Sequence, residues 1–408
     1  MGLVNHWDHT RISLLSVVSA SALVVGIVVG LGSWQGCNIY GPWLLLPDDA
    51  AVDAAPSLAC QRATWVGRTD AGDELEAGQV QLVAAMRSIN IGVTFDAGPD
   101  GSLPPFGWDL DGVCTCPGPP SCAQRPGTPK NCDDNVGRDH VALQLFRDLG
   151  MTAQAGSAQT NAAMSAGYYG ILVQVKGYNG TPNDGRVTAA IYASNGLNAV
   201  ADGGTPQPQW QGTDNWTVDP AYLTGASIGT DCDNSNPECS PLYFDDNAYV
   251  TDNILVAQMT AVPLTFGSRA DIGGALMKLS SVVLVGQLQQ VGLQGSGEVW
   301  AIGNGSISGR WRSSDLLANM ATIPDPTTDG SFFCGSDQYY SIFKTGICTL
   351  QDIASDPKSD NAGAPCDALS MGFEFTAGPA RLGLVFGVPA APAGCVSEGG
   401  VPWQDQCP

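Results

Sequence analysis

The segment richest in groups able to do chemistry is Trp108-Asp109-Leu110-Asp111-Gly112-Val113-Cys114-Thr115-Cys116, followed by Cys122, Cys132, Asp133, Asp134 and Asp139. Asp-x-Asp-Gly opens many calcium loops, because alternate carboxylates point at one hard cation while glycine permits the turn. An EF-hand needs a bidentate Glu at its twelfth position, and counting from Asp109 that position is Pro120. An EF-hand is therefore excluded, whereas an irregular calcium site through Asp109 and Asp111 stays open. Cys-x-Cys with later cysteines would also suit zinc, yet no histidine falls inside the cluster. The simplest reading is an acidic loop knotted by disulfides. The loop from Asp231 to Cys239 has the same pair of readings. It is either a small ring closed by Cys232 and Cys239, or a calcium site using Asp231, Asp233 and Glu238.

Catalytic devices are tested by elimination. Of the three histidines, His6 and His9 precede an apolar stretch, so a Ser-His-Asp or Cys-His device would have to use His140. No nucleophile motif accompanies it, and it reads as a surface or capping histidine. Gly-x-Ser-x-Gly, His-Glu-x-x-His and a Walker-type phosphate loop are all absent. Paired carboxylates remain, since a glycosidase needs two acids about 5–9.5 Å apart. Glu298 and Glu374, in Gly-Glu-Val-Trp and Gly-Phe-Glu-Phe, are the candidates. The Glu-x-Asp-x-x-Glu signature of sandwich-fold glucanases is absent, and outward-facing glutamates on alternating strands are the simpler explanation of both. Aromatic residues near polar loops, Trp210 and Trp216 foremost, offer a surface for stacking on sugars, against the alternative that they are core.

Such residues need a compartment. No charged residue lies between Arg11 and Cys37, and the run from Ile12 to Leu31 is long enough to cross a bilayer as a helix. Arg11 before it, with Asp48, Asp49 and Asp53 after it, directs the remainder outward. The segment is read either as an uncleaved anchor or as an export leader cleaved near Gly36-Cys37. Gly32-Ser33-Trp34-Gln35-Gly36-Cys37 resembles the end of a bacterial lipoprotein leader, which implies lipidation at Cys37, with an ordinary signal as the alternative. Of the 13 cysteines, setting Cys37 aside leaves Cys60, Cys114, Cys116, Cys122, Cys132, Cys232, Cys239, Cys334, Cys348, Cys366, Cys395 and Cys407. An even dozen in an exported chain suits disulfides. Cys232–Cys239 and Cys395–Cys407 are the local closures expected. With 17 Lys and Arg against 39 Asp and Glu and a net charge of −22, nucleic acid is excluded as a partner.

The elements that must position these residues are mostly strands. Val80, Leu82, Ala84 and Met86 fall on one parity, then Ile89, Ile91, Val93 and Phe95 on the other, so strands with a bulge or tight turn near Ser88 are expected, a helix with Val80, Val83 and Ala84 on one face being the alternative. A hairpin is expected from 170–176 to 186–193, and further strands over 249–259, 262–266, 281–289, 297–302, 371–376 and 382–388. Short helices are expected over 139–149 and 314–320, and the capping-box spacing of Thr349 to Asp352 suggests the start of another. Regular short strands without a βαβ rhythm predict an antiparallel β fold, sandwich or barrel, and the sandwich, jelly-roll or lectin-like, is the expectation.

The order along the chain is then a signal or membrane segment with its hydrophobic helix over 1–36, a tether over 37–59 and a disulfide-stabilised sandwich over 60–392. Cysteine-rich insertions fall near 108–160 and 313–366, and a cysteine-bearing tail covers 393–408. Two small β domains divided near 205–240 are the alternative.

The runs Asp109 to Cys116 and Asn131 to Asp139, with Ile307-Ser308-Gly309-Arg310-Trp311 and Pro365-Cys366-Asp367-Ala368-Leu369-Ser370, resemble uncharacterised secreted lipoproteins of myxobacteria. The resemblance implies a disulfide-bonded envelope protein and no particular activity. The reading is a membrane-tethered, non-catalytic binding or structural module of the cell envelope, at the outer membrane or cell surface. Its partners would be the membrane and a glycan or envelope protein. The alternatives are a carbohydrate-binding surface protein, calcium-assisted or not, and a glycosidase-like hydrolase using Glu298 and Glu374.

Overall fold

The computed structural model describes residues 62–69, 80–92, 106–116, 118–128, 130–134, 137–148, 153–201, 203–204, 206–232, 236–266, 275–294, 297–322, 333–334, 338–361, 363–387, 395 and 402–408. The stretch Leu58–Pro408 is one compact unit. The hydrophobic segment before Cys37, the tether, Cys37, Cys60 and Asp233 lie outside the described residues.

Strands β1 (Val80–Asn90), β2 (Gly170–Tyr178), β3 (Asp184–Ser194), a short β4 (Asn215–Val218), β5 (Phe244–Thr251), β6 (Ile254–Phe266), β7 (Ala275–Gln294), β8 (Gly297–Arg312), β9 (Ala368–Pro379) and β10 (Arg381–Val385) carry the fold. Eight of them close into an antiparallel barrel in the order β1-β2-β3-β5-β6-β7-β8-β9. The closing pair is β1 with β9, running from Ala84 opposite Pro379 to Asn90 opposite Glu374. A mainly β, antiparallel fold is thus observed, but as a closed barrel rather than two stacked sheets. The reason is that β1 bonds β2 on one side and β9 on the other, leaving neither strand a free edge.

Eight strands leave an interior just wide enough for side chains to fill. Leu82, Ala84 and Met86 of β1 point in with Val187, Ala189 and Ile191 of β3, Leu255, Ala257 and Met259 of β6 and Phe373 and Phe375 of β9. The alternation of small and large residues lets the layers interlock. The register of β1 slips between Met86 and Ser88, which returns Ile89 to the interior and places the bulge where the sequence parity changes. The 170–193 hairpin forms as expected, with Leu172 opposite Tyr192. The strand expected over 249–259 is broken instead. Asp252 and Asn253 both have positive φ, a geometry those residue types tolerate, and they turn β5 into β6.

Much of the outer wall is also covered. Val83, Ala85, Leu172 and Tyr192 pack beneath the small parallel sheet of β4 and β10, with Trp216 and Leu382 facing them. Tyr249, Val256, Val283 and Val285 are covered by Trp65, Val66, Trp108 and Leu110.

Helices α1 (Ala142–Asp148), α2 (Ala153–Ser165), α3 (Asn198–Ala201), α4 (Ser313–Met320) and α5 (Gln338–Thr349) complete the described elements. Leu145 of α1, Leu316, Leu317 and Met320 of α4, and Tyr340 and Ile347 of α5 join the cluster that fills the barrel. Thr349 ends α5 rather than opening a helix. Its spacing to Asp352 is not a capping box, because that carboxylate bonds Ser370 of β9 instead.

Candidate acidic site beneath the cysteine-rich loop

Residues of β8 and β9 alternate strictly near their paired ends. Ile307, Trp311, Leu369, Met371 and Phe373 point inward, so Ser306, Ser308, Arg310, Ser370 and Gly372 face out. These outward residues are small apart from Arg310, and a loop can lie directly on them. A Cβ on Gly372 would meet Gly107 Cα at 2.7 Å, so the loop backbone touches the strand. Trp108 Nε1 donates to Ser306 Oγ at 3.1 Å, and the Gly372 N–H donates to His140 Nδ1 at 3.0 Å. His140 is half-buried with its Nε2 enclosed, rather than at the surface, and desolvation pushes its pKa down to about 4. It acts as a neutral acceptor that holds the loop to the wall.

Among the described residues, the disulfides Cys116–Cys132 and Cys122–Cys366 and the buried ion pair of Arg310 with Asp360 help to fix the loop. Cys116–Cys132 closes it locally, and Cys122–Cys366 ties it to the chain entering β9 across a sequence separation of 244. Beside the second bridge the Ala123 N–H donates to Ala364 O at 2.6 Å, and the Cys366 N–H donates to Ala123 O at 3.1 Å. Arg310 is 1% exposed. Its guanidinium donates to Leu110 O at 2.7 Å, to Ala354 O at 2.8 Å and to both oxygens of Asp360 at 2.7 and 2.6 Å. Four segments far apart in sequence, around 109–116, 131–139, 307–311 and 365–370, are therefore brought together at one place.

The centre of this assembly is acidic. One oxygen atom from each of Asp109, Asp111 and Asp139 lies within 4.8 Å of the others. Asp109 and Asp139 are buried and Asp111 is half-buried. The turn from Asp109 has Gly112 at φ +80°, with the Gly112 N–H donating to Asp109 Oδ1 at 2.6 Å. Asp139 Oδ2 accepts from the N–H groups of Leu110 at 2.6 Å and Asp111 at 3.2 Å. Asp111 Oδ1 accepts from Val113 at 3.0 Å, and Asp133 Oδ2 accepts from Thr115 at 2.7 Å. One oxygen each of Asp111, Asp133 and Asp139 is left over from these backbone bonds. Arg62 reaches Asp109 from the solvent side in an ion pair.

Electrostatically the site holds more negative charge than its own cations balance. Burial first, and the neighbouring carboxylates after it, raise the pKa of Asp139 well above the usual carboxylate range. Asp133 is pushed up to about 7, chiefly by burial and then by Asp111 and Asp109, and its carboxyl lies within hydrogen-bonding reach of Asp139. Asp352 is likewise pushed up to about 7 by burial, against the bonds it accepts from Ser370. Asp111 moves in the same direction for the same first cause. Ser121 Oγ faces Asp111, is fully buried and has no hydrogen-bond partner of good geometry. Carboxylates in this condition must take up either protons or a metal cation.

The other candidates are dispersed. Glu374 stands opposite Ser306 on β8, and Glu298 lies eight residues before Ser306 on the same strand, about 25 Å away at strand rise. Glu298 is exposed and accepts from Trp300 Nε1 at 3.2 Å. That separation is far beyond the reach of a glycosidase pair. Trp216 is fully buried, and Trp210 is half-buried against it with ring centroids 5.5 Å apart, so neither forms an open sugar platform. Asp231 and Glu238 are both exposed, and among the described residues they join no group of converging acids.

Of the disulfides, Cys232–Cys239 is as expected, whereas Cys395 pairs with Cys334 and Cys407 with Cys348. The closure expected between Cys395 and Cys407 does not form. Each residue instead pins the tail to a different part of the 313–366 region. Cys114 is also disulfide-bonded.

Asp133 and Asp139 lie in the same acidic, cysteine-rich segment as Asp111, but nothing in their spacing marks them as its partners. Asp352 gave no such signal at all. No protein-family model matches the chain, and no curated protein or solved structure matches it. The class that fold and site define is a disulfide-stabilised antiparallel β-barrel with a buried acidic cluster on its outer wall. Five disulfides among the described residues point to an oxidising, extracytoplasmic environment. Among the same residues no helix is long and apolar enough to cross a membrane.

Proposed function

We propose that the chain is a non-catalytic binding or structural module of the cell envelope. In this reading it is held to a membrane through its N-terminal segment or a lipid on Cys37, and its cysteine-rich loop is completed by a calcium ion. The ion would take Asp109, Asp111 and Asp139, with Asp133 and Ser121 Oγ as further oxygen donors. The observation that supports this is the convergence of three carboxylates, two of them buried, on a space of calcium-site dimensions. The buried Ser121 hydroxyl beside Asp111 adds a neutral oxygen to the same place. A calcium ion would lock four chain segments onto the β8–β9 wall, a structural task that needs no turnover. The mass of Cys37 in material isolated from the membrane tests the lipid.

The raised carboxyl pKa values set a pH test. An unfolded Asp titrates near 3.9, so the metal-free folded protein binds extra protons above that value. The stability contributed by those protons is fully present at low pH and is lost as pH rises through about 7 for Asp133 and Asp352. His140 works the other way. Its folded pKa of about 4 lies below the unfolded value, so it removes stability as pH falls below about 6.5 and drops out above that. Between about pH 6.5 and 8 the metal-free protein is therefore expected to melt at falling temperature as pH rises. Saturating calcium should flatten that slope, because the ion replaces the protons. A melting temperature that is level across this window without calcium, or unchanged by calcium at its upper end, would count against the site.

A further inference from the structure

A second feature lies on the opposite part of the outer wall. A cleft of about 230 Å³ opens between β2, β3 and the chain entering β5, lined by Gln174, Lys176, Thr188, Ala190, Ser240 and Phe244. Lys176 and Thr188 are direct cross-strand neighbours. Gln174 is buried beneath them and accepts from Tyr192 Oη at 2.8 Å, so its amide is fixed in place. Ser240 follows the Cys232–Cys239 ring and donates to Pro237 O at 2.8 Å, leaving its oxygen able to accept. Phe244 stands 47% exposed at the mouth.

Lys176 is the unusual member. It is half-buried in a chain of net charge −22, yet among the described residues no carboxylate offsets it. Burial alone accounts for the lowering of its pKa. An ammonium held in a cleft without a counterion is matched to an incoming anion. The rest of the lining is mainly apolar, from Ala190, Pro241 and Phe244, with two hydroxyls and a fixed amide among them, which suits the apolar face of a sugar ring that carries hydroxyls at its edge. The volume is below the usual range for drug-sized ligands and suits a single pyranose.

We propose that this cleft binds a hexuronate, with the sugar carboxylate on Lys176 Nζ, its hydroxyls on Thr188 and Ser240, and its ring against Phe244. The site is independent of the acidic cluster and does not use Trp210 or Trp216.

The test is a calorimetric titration of the intact protein with D-galacturonate, with D-galactose and acetate as controls. Galacturonate is expected to bind at least about tenfold more tightly than either control, since it alone carries both the charge and the ring. Lys176→Met should remove the preference over galactose. Phe244→Ala, a change at an exposed position, should weaken galacturonate and leave acetate unaffected. Equal affinity for galacturonate and galactose, equal affinity for galacturonate and acetate, or no saturable binding of galacturonate would each overturn the assignment. So would a Lys176→Met protein that folds and keeps the preference.

Discussion

Arg310→Met is expected to cost about 3–5 kcal/mol of folding stability, read as a lower denaturant midpoint at unchanged slope. Methionine fills much of the same volume and removes no apolar contact of the barrel. What it removes is a buried guanidinium that satisfies Leu110 O, Ala354 O and both oxygens of Asp360. The two carbonyls and a carboxylate with 13% exposed side chain would be left without that donor. The companion substitution separates charge from packing. Arg310→Met combined with Asp360→Leu should recover a large part of the loss, since an apolar pair in place of a buried ion pair is often tolerated. Arg310→Lys should behave more like Arg310→Met than like the native residue, because one ammonium cannot reproduce the planar fork. A loss below about 1 kcal/mol for Arg310→Met would mean that the guanidinium is not what holds Leu110 and Asp360 together.

The second large effect is expected from Cys122 and Cys366. Their bridge closes a sequence separation of 244, far longer than any other described disulfide. In the chain-entropy picture the restraint on the unfolded state grows with the logarithm of that length, so replacing both cysteines by serine should cost about 3–5 kcal/mol. Opening Cys232–Cys239, with a separation of 7, should cost less. The longer bridge also bears on the acidic site. It sits beside the Ala123–Pro365 contact that clamps the loop to the start of β9, so its loss should weaken calcium binding as well as stability. If the two serine variants proved equally stable, loop length would not be what governs these bridges.

Much of the barrel could be read along the chain because one physical rule, inward-outward alternation, governs each strand. The parity change near Ser88 gave the bulge, and the Asn/Gly loop between residues 178 and 184 gave the β2–β3 hairpin. Closure could not be read in this way. A strand presents the same alternation to a sandwich as to a barrel, and the deciding bonds join β1 to β9 across almost the whole described chain. Val83, Ala85 and Leu172 further blurred the pattern, because the outer wall there is buried under β4 and β10. Helix α5 is not legible in the sequence, for a local reason. Its sequence Gln338-Tyr-Tyr-Ser-Ile-Phe-Lys-Thr-Gly-Ile-Cys-Thr349 is rich in aromatic and β-branched residues, and packing against the barrel end overrides that propensity.

The candidate site divides in the same way. Asp109 and Asp111 were visible because their ligand geometry is local, two carboxylates and a glycine in a single turn. Asp139 joins them from 28 positions further along the chain, through a loop folded onto the β8–β9 wall, as its bond to the Asp111 N–H records. That wall is formed by serines and a glycine whose meaning appears only when their apolar neighbours are known to face inward.

The most direct measurement is a calorimetric calcium titration of chelator-stripped protein near pH 7, repeated in buffers of different ionisation heat. Saturable binding of one ion per chain is expected, with release of protons from the raised carboxyls and with binding lost in Asp111→Asn and Asp139→Asn. Absence of saturable binding, or binding that survives both substitutions, would contradict a calcium site in this loop.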